Sequence, residues 1–404
     1  MTTATRPAAP SRQARLARAA VAAVFLTNGA LYANVVPRFP QLKADLDLSN
    51  AALGAAIAAM PFGALLAGLF AAAAIRRFRS SRVAALGIVL LAASTFLIAF
   101  VPNVFALAAV MFLAGALDSV IDVAQNAHGL RVQRLYGRSI VNAFHGLWSV
   151  GAVLGGLMGS AAAGLGLALG VHLGISAVLF SVVALVAYRF LLPGPDGAER
   201  ADEAAAPATG AGRRAWAAPA VRVLAVLGVL AACGALVEDA GASWGAIYLR
   251  DELTTGAAAA GLAFVALQVA MTAGRLAGDR VVDRFGQRAV VRAGGLLAAA
   301  GMGLALAFPS LGTTLAGFAL AGLGVATLVP AAMHSADELP GLPDGMGLTV
   351  VSWLLRVGFL LSPPLVGLVA DQTSLRVGLL TVVIAGLVTA VCARVLVDRT
   401  QQAH

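Results

Sequence analysis

The sequence predicts an all-α integral membrane protein with twelve transmembrane helices in two six-helix halves and both termini cytoplasmic. Three observations carry this expectation. The 404-residue chain is 60% hydrophobic and 12% charged, where an average soluble protein is about 25% charged, and its mean hydropathy is +0.89. Apolar runs long enough to cross about 30 Å of hydrocarbon recur along the whole chain. Basic residues gather between alternate runs. This composition excludes an ordinary soluble enzyme, a disordered chain and a secreted disulfide scaffold.

The runs fall near 16–37, 50–74, 82–101, 104–128, 139–163 and 167–192, then 220–243, 256–281, 289–308, 310–333, 345–370 and 375–397. The first follows Arg12, Arg15 and Arg18. It is too long for a signal-peptide core and reads as a retained signal anchor. Residues 193–218 hold the longest polar stretch, including Gly194-Pro195-Asp196-Gly197 and Arg213-Arg214, and read as a flexible cytoplasmic linker. The expected halves are therefore residues 1–192 and 219–404. Residues 1–12 read as disordered.

The net charge of +9 does not point to nucleic acid, because of where the charges sit. With the N-terminus inside, 23 of the 28 basic residues are cytoplasmic, four are external and Arg356 lies within segment 11. That asymmetry fixes the orientation. Cys233 and Cys392 read as small core residues. Neither they nor the five histidines have metal-ligand spacing, so no metal or cofactor is expected.

A shift of 207 residues aligns Arg77-Phe78 with Arg284-Phe285, Pro102 with Pro309, Gly115 with Gly322 and Val150-Gly151 with Val357-Gly358. Two halves in parallel repetition are the architecture of a secondary transporter, with its site between them near the bilayer midplane.

Gly274-Arg275-Leu276-Ala277-Gly278-Asp279-Arg280, followed by Asp283-Arg284-Phe285-Gly286, resembles the loop signature of the major facilitator superfamily. The resemblance implies a cytoplasmic gate built from Gly278, Asp279, Arg280, Asp283 and Arg284. The first-half copy contributes Arg76 and Arg77 but has no acid. In segment 5, Gly151-Ala152-Val153-Leu154-Gly155-Gly156 resembles a Gly-Pro-x-x-Gly-Gly motif of superfamily antiporters. The same spacing also makes a small-residue face for close helix packing, the stronger reading.

Ionisable groups inside the bilayer cost several kcal/mol, so each needs a role or a partner. Asp118 and Asp122 share one face of segment 4. Glu238 and Asp239 lie in segment 7, and Arg356 in segment 11. One base cannot neutralise four carboxylates. Desolvation and like-charge crowding favour the protonated carboxylic acid, so these acids are the expected proton carriers, Asp122 foremost with Asp118 tuning it. The stretch Asp122-Val-Ala-Gln-Asn126 is similar to a helix 4 stretch of fucose-permease-like sugar–proton symporters, which implies that Asp122 couples protons to sugar binding. The expected substrate contacts are Asn28, Tyr32, Asn126, Asn142, His145, Trp148, Gln268, Trp353 and Arg356.

The sequence has no Gly-x-x-x-x-Gly-Lys-Ser/Thr loop, which argues against an ATP-driven pump. An integral-membrane enzyme would need a nucleophile–base or metal constellation, and a scaffold would not need four intramembrane carboxylates. The expected function is secondary, proton-coupled movement of a small polar, sugar-like solute by a monomer in a bacterial inner membrane. Proton-antiport efflux of an amphipathic or cationic compound is the alternative.

Overall fold

The structure is a computed structural model and describes residues 11–136, 140–196, 218–339, 342 and 346–396. Twelve helices are long and apolar enough to span a membrane. They are α1 (Arg12–Asp45), α2 (Asn50–Gly68), α3 (Ser80–Phe100), α4 (Val104–Tyr136), α5 (Val141–Gly164) and α6 (Leu169–Tyr188). The second set is α7 (Ala220–Glu252), α8 (Ala257–Phe285), α9 (Gln287–Ala307), α10 (Leu311–Asp337), α11 (Met346–Gln372) and α12 (Leu375–Val395). Residues 1–10 and 197–217, on which the expected disordered start and most of the expected linker fall, lie outside the described residues.

Several helices outrun their apolar cores. α4 continues past His128 to Tyr136, because His128 and Arg131 are buried and bonded to Ser80 and to the start of the linker rather than turned to solvent. α7 is regular to Asp239 and then widens into a π-turn over Ala240–Trp244. Such bulges inside α-helices are frequent at functional sites.

The internal repeat is visible in the packing. α1 packs on α5 as α7 packs on α11, α2 on α4 as α8 on α10, and α3 on α6 as α9 on α12. It is visible in the backbone too. Asp47 and Thr254 have φ of 48° and 50°, and Arg79 and Gly286 have φ of 73° and 83°; both pairs are 207 residues apart. At the second pair the repeat exacts a cost, since Arg79 adopts φ 73° and ψ 146°, a region that suits glycine.

Gly151, Gly155 and Gly159 settle how α5 is used. A Cβ at these positions would lie 2.0, 2.3 and 2.4 Å from the carbonyl oxygens of Leu26, Ala30 and Asn34 on α1. The stripe therefore seats two helices of one half backbone to backbone.

Between the halves, α2 runs along α11 and α5 along α8, a pair of contacts that the repeat exchanges. Among the described residues, every hydrogen bond that joins the halves lies at the arginine-poor end. Lys43 Nζ meets Asp251 Oδ2 at 2.6 Å, and the N–H groups of Asn50 and Ala51 each donate to Asp371 at 2.8 Å. These contacts close the bundle at that end.

Candidate functional site

A cavity of about 340 Å³ lies between the halves, walled by α1, α2, α4 and α5 on one side and α7, α8 and α11 on the other. Its polar groups are Asn28, Tyr32, Asp118, Trp148, Glu238, Asp239, Gln268 and Arg356. The rest of the wall is mainly apolar, including Ile57, Met60, Phe264 and Phe359. Few polar groups on an apolar wall suit a small ligand that must be both oriented and released.

On the N-terminal side Asn28 is the hub. Its Nδ2 donates to Asp118 Oδ1 at 2.8 Å, and its Oδ1 accepts from Trp148 Nε1 at 2.9 Å. The same Oδ1 accepts a longer bond, 3.5 Å, from Gln125 Nε2, which also donates to Asp122 Oδ1 at 3.3 Å. Asn126 Nδ2 donates to that Asp122 oxygen at 3.0 Å, and His145 Nε2 lies 3.1 Å from Asn126 Oδ1. The result is a polar chain from the cavity wall to exposed side chains.

On the C-terminal side Asp239 is 7% exposed. Its Oδ1 accepts from Ser243 Oγ at 2.7 Å, across the start of the π-turn. Its Oδ2 is buried and makes no close hydrogen bond among the described residues. The buried hydroxyl of Ser362 on α11 faces the same carboxyl as a second hydroxyl donor. A buried carboxylate without an ion pair is expensive unless it holds a proton or a cation. Gln268 Oε1, in the same wall, is likewise buried and unpartnered.

The structure places several of the expected residues away from the cavity wall. Asp122, the foremost expected proton carrier, is exposed and not part of the cavity wall. The rotation of α4 turns Asp118 inward instead. Asn126 and His145 also lie outside the wall, on the chain just described. Asn142, near the start of α5, is exposed and away from the wall. Trp353 is 43% exposed; three residues before Arg356 it points about 60° away from it, and Phe359 contributes the ring on α11.

Arg356 lines the cavity without an ion pair among the described residues. Glu238 pairs instead with Arg275 of α8, at 3.5 Å. Arg275, Gln125, Ser243 and Ser362 escaped the sequence reading. Arg275 sits inside the loop signature and reads there as one more positive-inside charge. Gln125 stands in the sequence only as a member of the Asp122–Asn126 stretch.

At the arginine-rich end, Arg76 and Arg77 sit exposed on the short helix Ala71–Phe78. Asp279, Arg280 and Asp283 are exposed, with no ion pair or hydrogen bond among the described residues. The Arg284 guanidinium lies 5.4 Å from the Phe285 ring centre. Gly278 is buried, and a Cβ there would lie 2.8 Å from Thr327 Cγ2.

Twelve helices in two like halves, closed at one end over a central polar cavity, have the architecture of a membrane transporter. The chain belongs to the Major Facilitator Superfamily, whose sequence profile matches residues 21–238 and 230–404. It is 33% identical over 386 residues to membrane protein MosC of Rhizobium meliloti, covering 95% of this chain and 91% of that one. In fold it is similar to the nucleoside transporter NupG, with a TM-score of 0.70 at 15% identity over 95% of this chain and 98% of that one. A D-xylose-proton symporter superposes with a TM-score of 0.69 at 14% identity, over 94% of this chain and 96% of that one.

Proposed function

We propose that the protein is a proton-coupled transporter that carries a small polar, sugar-like solute across a bacterial inner membrane, acting as a monomer. One observation carries the coupling: Asp239 is buried in the cavity wall with no ion pair among the described residues. A proton there removes the charge and lets the site pass through a dry, occluded state. Asp118 faces the cavity from the other half, and Asp122 with Gln125, Asn126 and His145 continues from it as a relay toward water. The fold likeness to a D-xylose-proton symporter supports the sugar reading. Trp148 offers a ring face, and Asn28 and Gln268 offer amides, to a hydroxylated solute. The arginine-rich end is cytoplasmic on this reading, so the conformation is inward-open. Asp279 and Arg280 then belong to a cytoplasmic gate that re-forms when the protein opens outward.

A second reading has one observation in its favour. The wall holds Asp118, Glu238 and Asp239 against Arg356, and that excess of acid also suits a cationic solute exchanged for protons.

Reconstitution into vesicles containing a pH-sensitive dye tests both. Protons entering with an added neutral sugar support symport. Protons leaving against an added amine support the second reading. A solute that is carried with no proton movement contradicts the coupling.

A further inference from the structure

Arg38, at the arginine-poor end of α1, is 2% exposed and has no ion pair among the described residues. Its Nε and Nη2 both donate to Gln41 Oε1, at 3.1 and 2.5 Å, Nη2 also donates to the Leu167 carbonyl at 2.7 Å, and Nη1 lies 3.5 Å from His172 Nδ1. His172 Nε2 in turn lies 2.8 Å from Asn34 Oδ1. An amide oxygen only accepts, so this ring donates from Nε2 and presents Nδ1 to Arg38 as a neutral acceptor. The neighbours thus position the guanidinium without cancelling its charge. A buried charge left uncompensated is costly.

A cavity of about 400 Å³ opens beside it, between the halves at the arginine-poor end. Arg38, Gln41 and Leu167 line it from the first half, and Arg250 from the second. No carboxylate is among its lining residues. Two nearby acids are engaged elsewhere: exposed Asp45 accepts from Gln41 Nε2 at 3.2 Å, and Asp251 is paired with Lys43 at 2.6 Å. Arg250 spends one N–H on the Thr255 carbonyl at 2.8 Å. A guanidinium has five N–H donors; Arg38 keeps one on Nη1 beyond its protein partners and Arg250 keeps four, so the two together can hold an oxyanion.

We infer that this cavity binds a phosphate-type oxyanion between Arg38 and Arg250. Bound there, the anion bridges the halves where they are already closed and favours that closed arrangement. The chemistry is common to free phosphate and to a phospholipid headgroup.

The test is thermal unfolding of the full chain, followed by tryptophan fluorescence. One arm adds inorganic phosphate to protein in uncharged detergent. The other compares vesicles of phosphatidylcholine alone with vesicles that also contain phosphatidylglycerol. A saturable rise in Tm with phosphate assigns the site to a free oxyanion, and a rise confined to phosphatidylglycerol assigns it to the headgroup. Arg250→Gln, at an exposed position that spares the core, should raise the half-saturating concentration about tenfold, the loss of one charge-assisted hydrogen bond. Arg189→Gln, at the other end, should leave the response unchanged. No rise in either arm overturns the inference, as does a rise that Arg250→Gln leaves intact.

Discussion

Asn28 on α1 donates an amide hydrogen to Asp118 on α4 at 2.8 Å, and so fixes the first-half cavity acid from a different helix. The carbonyl of the same amide accepts the Trp148 indole N–H. Asn28→Ala therefore leaves two partly buried groups without partners, at a cost of about 1–3 kcal/mol. A lower Tm in that variant, with Asn28→Gln recovering only part of it, is the expected outcome of thermal unfolding.

Asp239→Asn keeps the shape of the side chain and removes its charge. We expect the variant to lose gradient-driven accumulation while still exchanging labelled for unlabelled solute across the membrane. Full accumulation in Asp239→Asn alongside its loss in Asp118→Asn would move the coupling role to the first half.

Arg79 takes a backbone conformation that its repeat partner Gly286 adopts without strain. Such strain costs on the order of 1–3 kcal/mol for a non-glycine residue. Arg79→Gly is therefore expected to raise Tm, although glycine is ordinarily the destabilising choice. A lower Tm would show that the Arg79 side chain contributes more than its backbone loses.

The α1–α5 seam should tolerate nothing larger than glycine. Gly151→Ala places a Cβ 2.0 Å from the Leu26 carbonyl oxygen, and forced repacking of this kind costs about 1–3 kcal/mol. Gly303→Ala on α9, where no atom lies within 4 Å of the new Cβ, is the control and should gain about 0.5–1 kcal/mol. Tm values of the two variants should move in opposite directions.

Hydropathy alone made all twelve helices legible, because a segment that spans lipid must be apolar along its length. Their ends were less legible. α4 runs eight residues beyond its apolar stretch, since His128 and Arg131 find partners in Ser80 and at the start of the linker. The cavity acids stood out as charges in apolar segments, but sequence does not give the rotation of one helix against another. Asp118 and Asp122 share a helix face, yet only Asp118 reaches the cavity wall. The Glu238–Arg275 pair was hidden for the same reason: Arg275 falls within the run 256–281, but the run does not give the face that meets Glu238 on α7.

The central claim is that protonation of Asp239 is tied to the conformational cycle, and it can be tested without knowing the solute. Spin labels at Arg134 and Arg292 report the spacing of the halves at the arginine-rich end, and labels at Leu165 and Phe308 report the other end. Cys233 and Cys392 are replaced by serine beforehand. Distances are measured from about pH 5 to about pH 9, a range over which linked protonation shifts the equilibrium between states. The account predicts that the wild-type distributions change with pH, and that Asp239→Asn at high pH matches the wild-type protein at low pH. Distributions in Asp239→Asn that follow pH as the wild type does would contradict it.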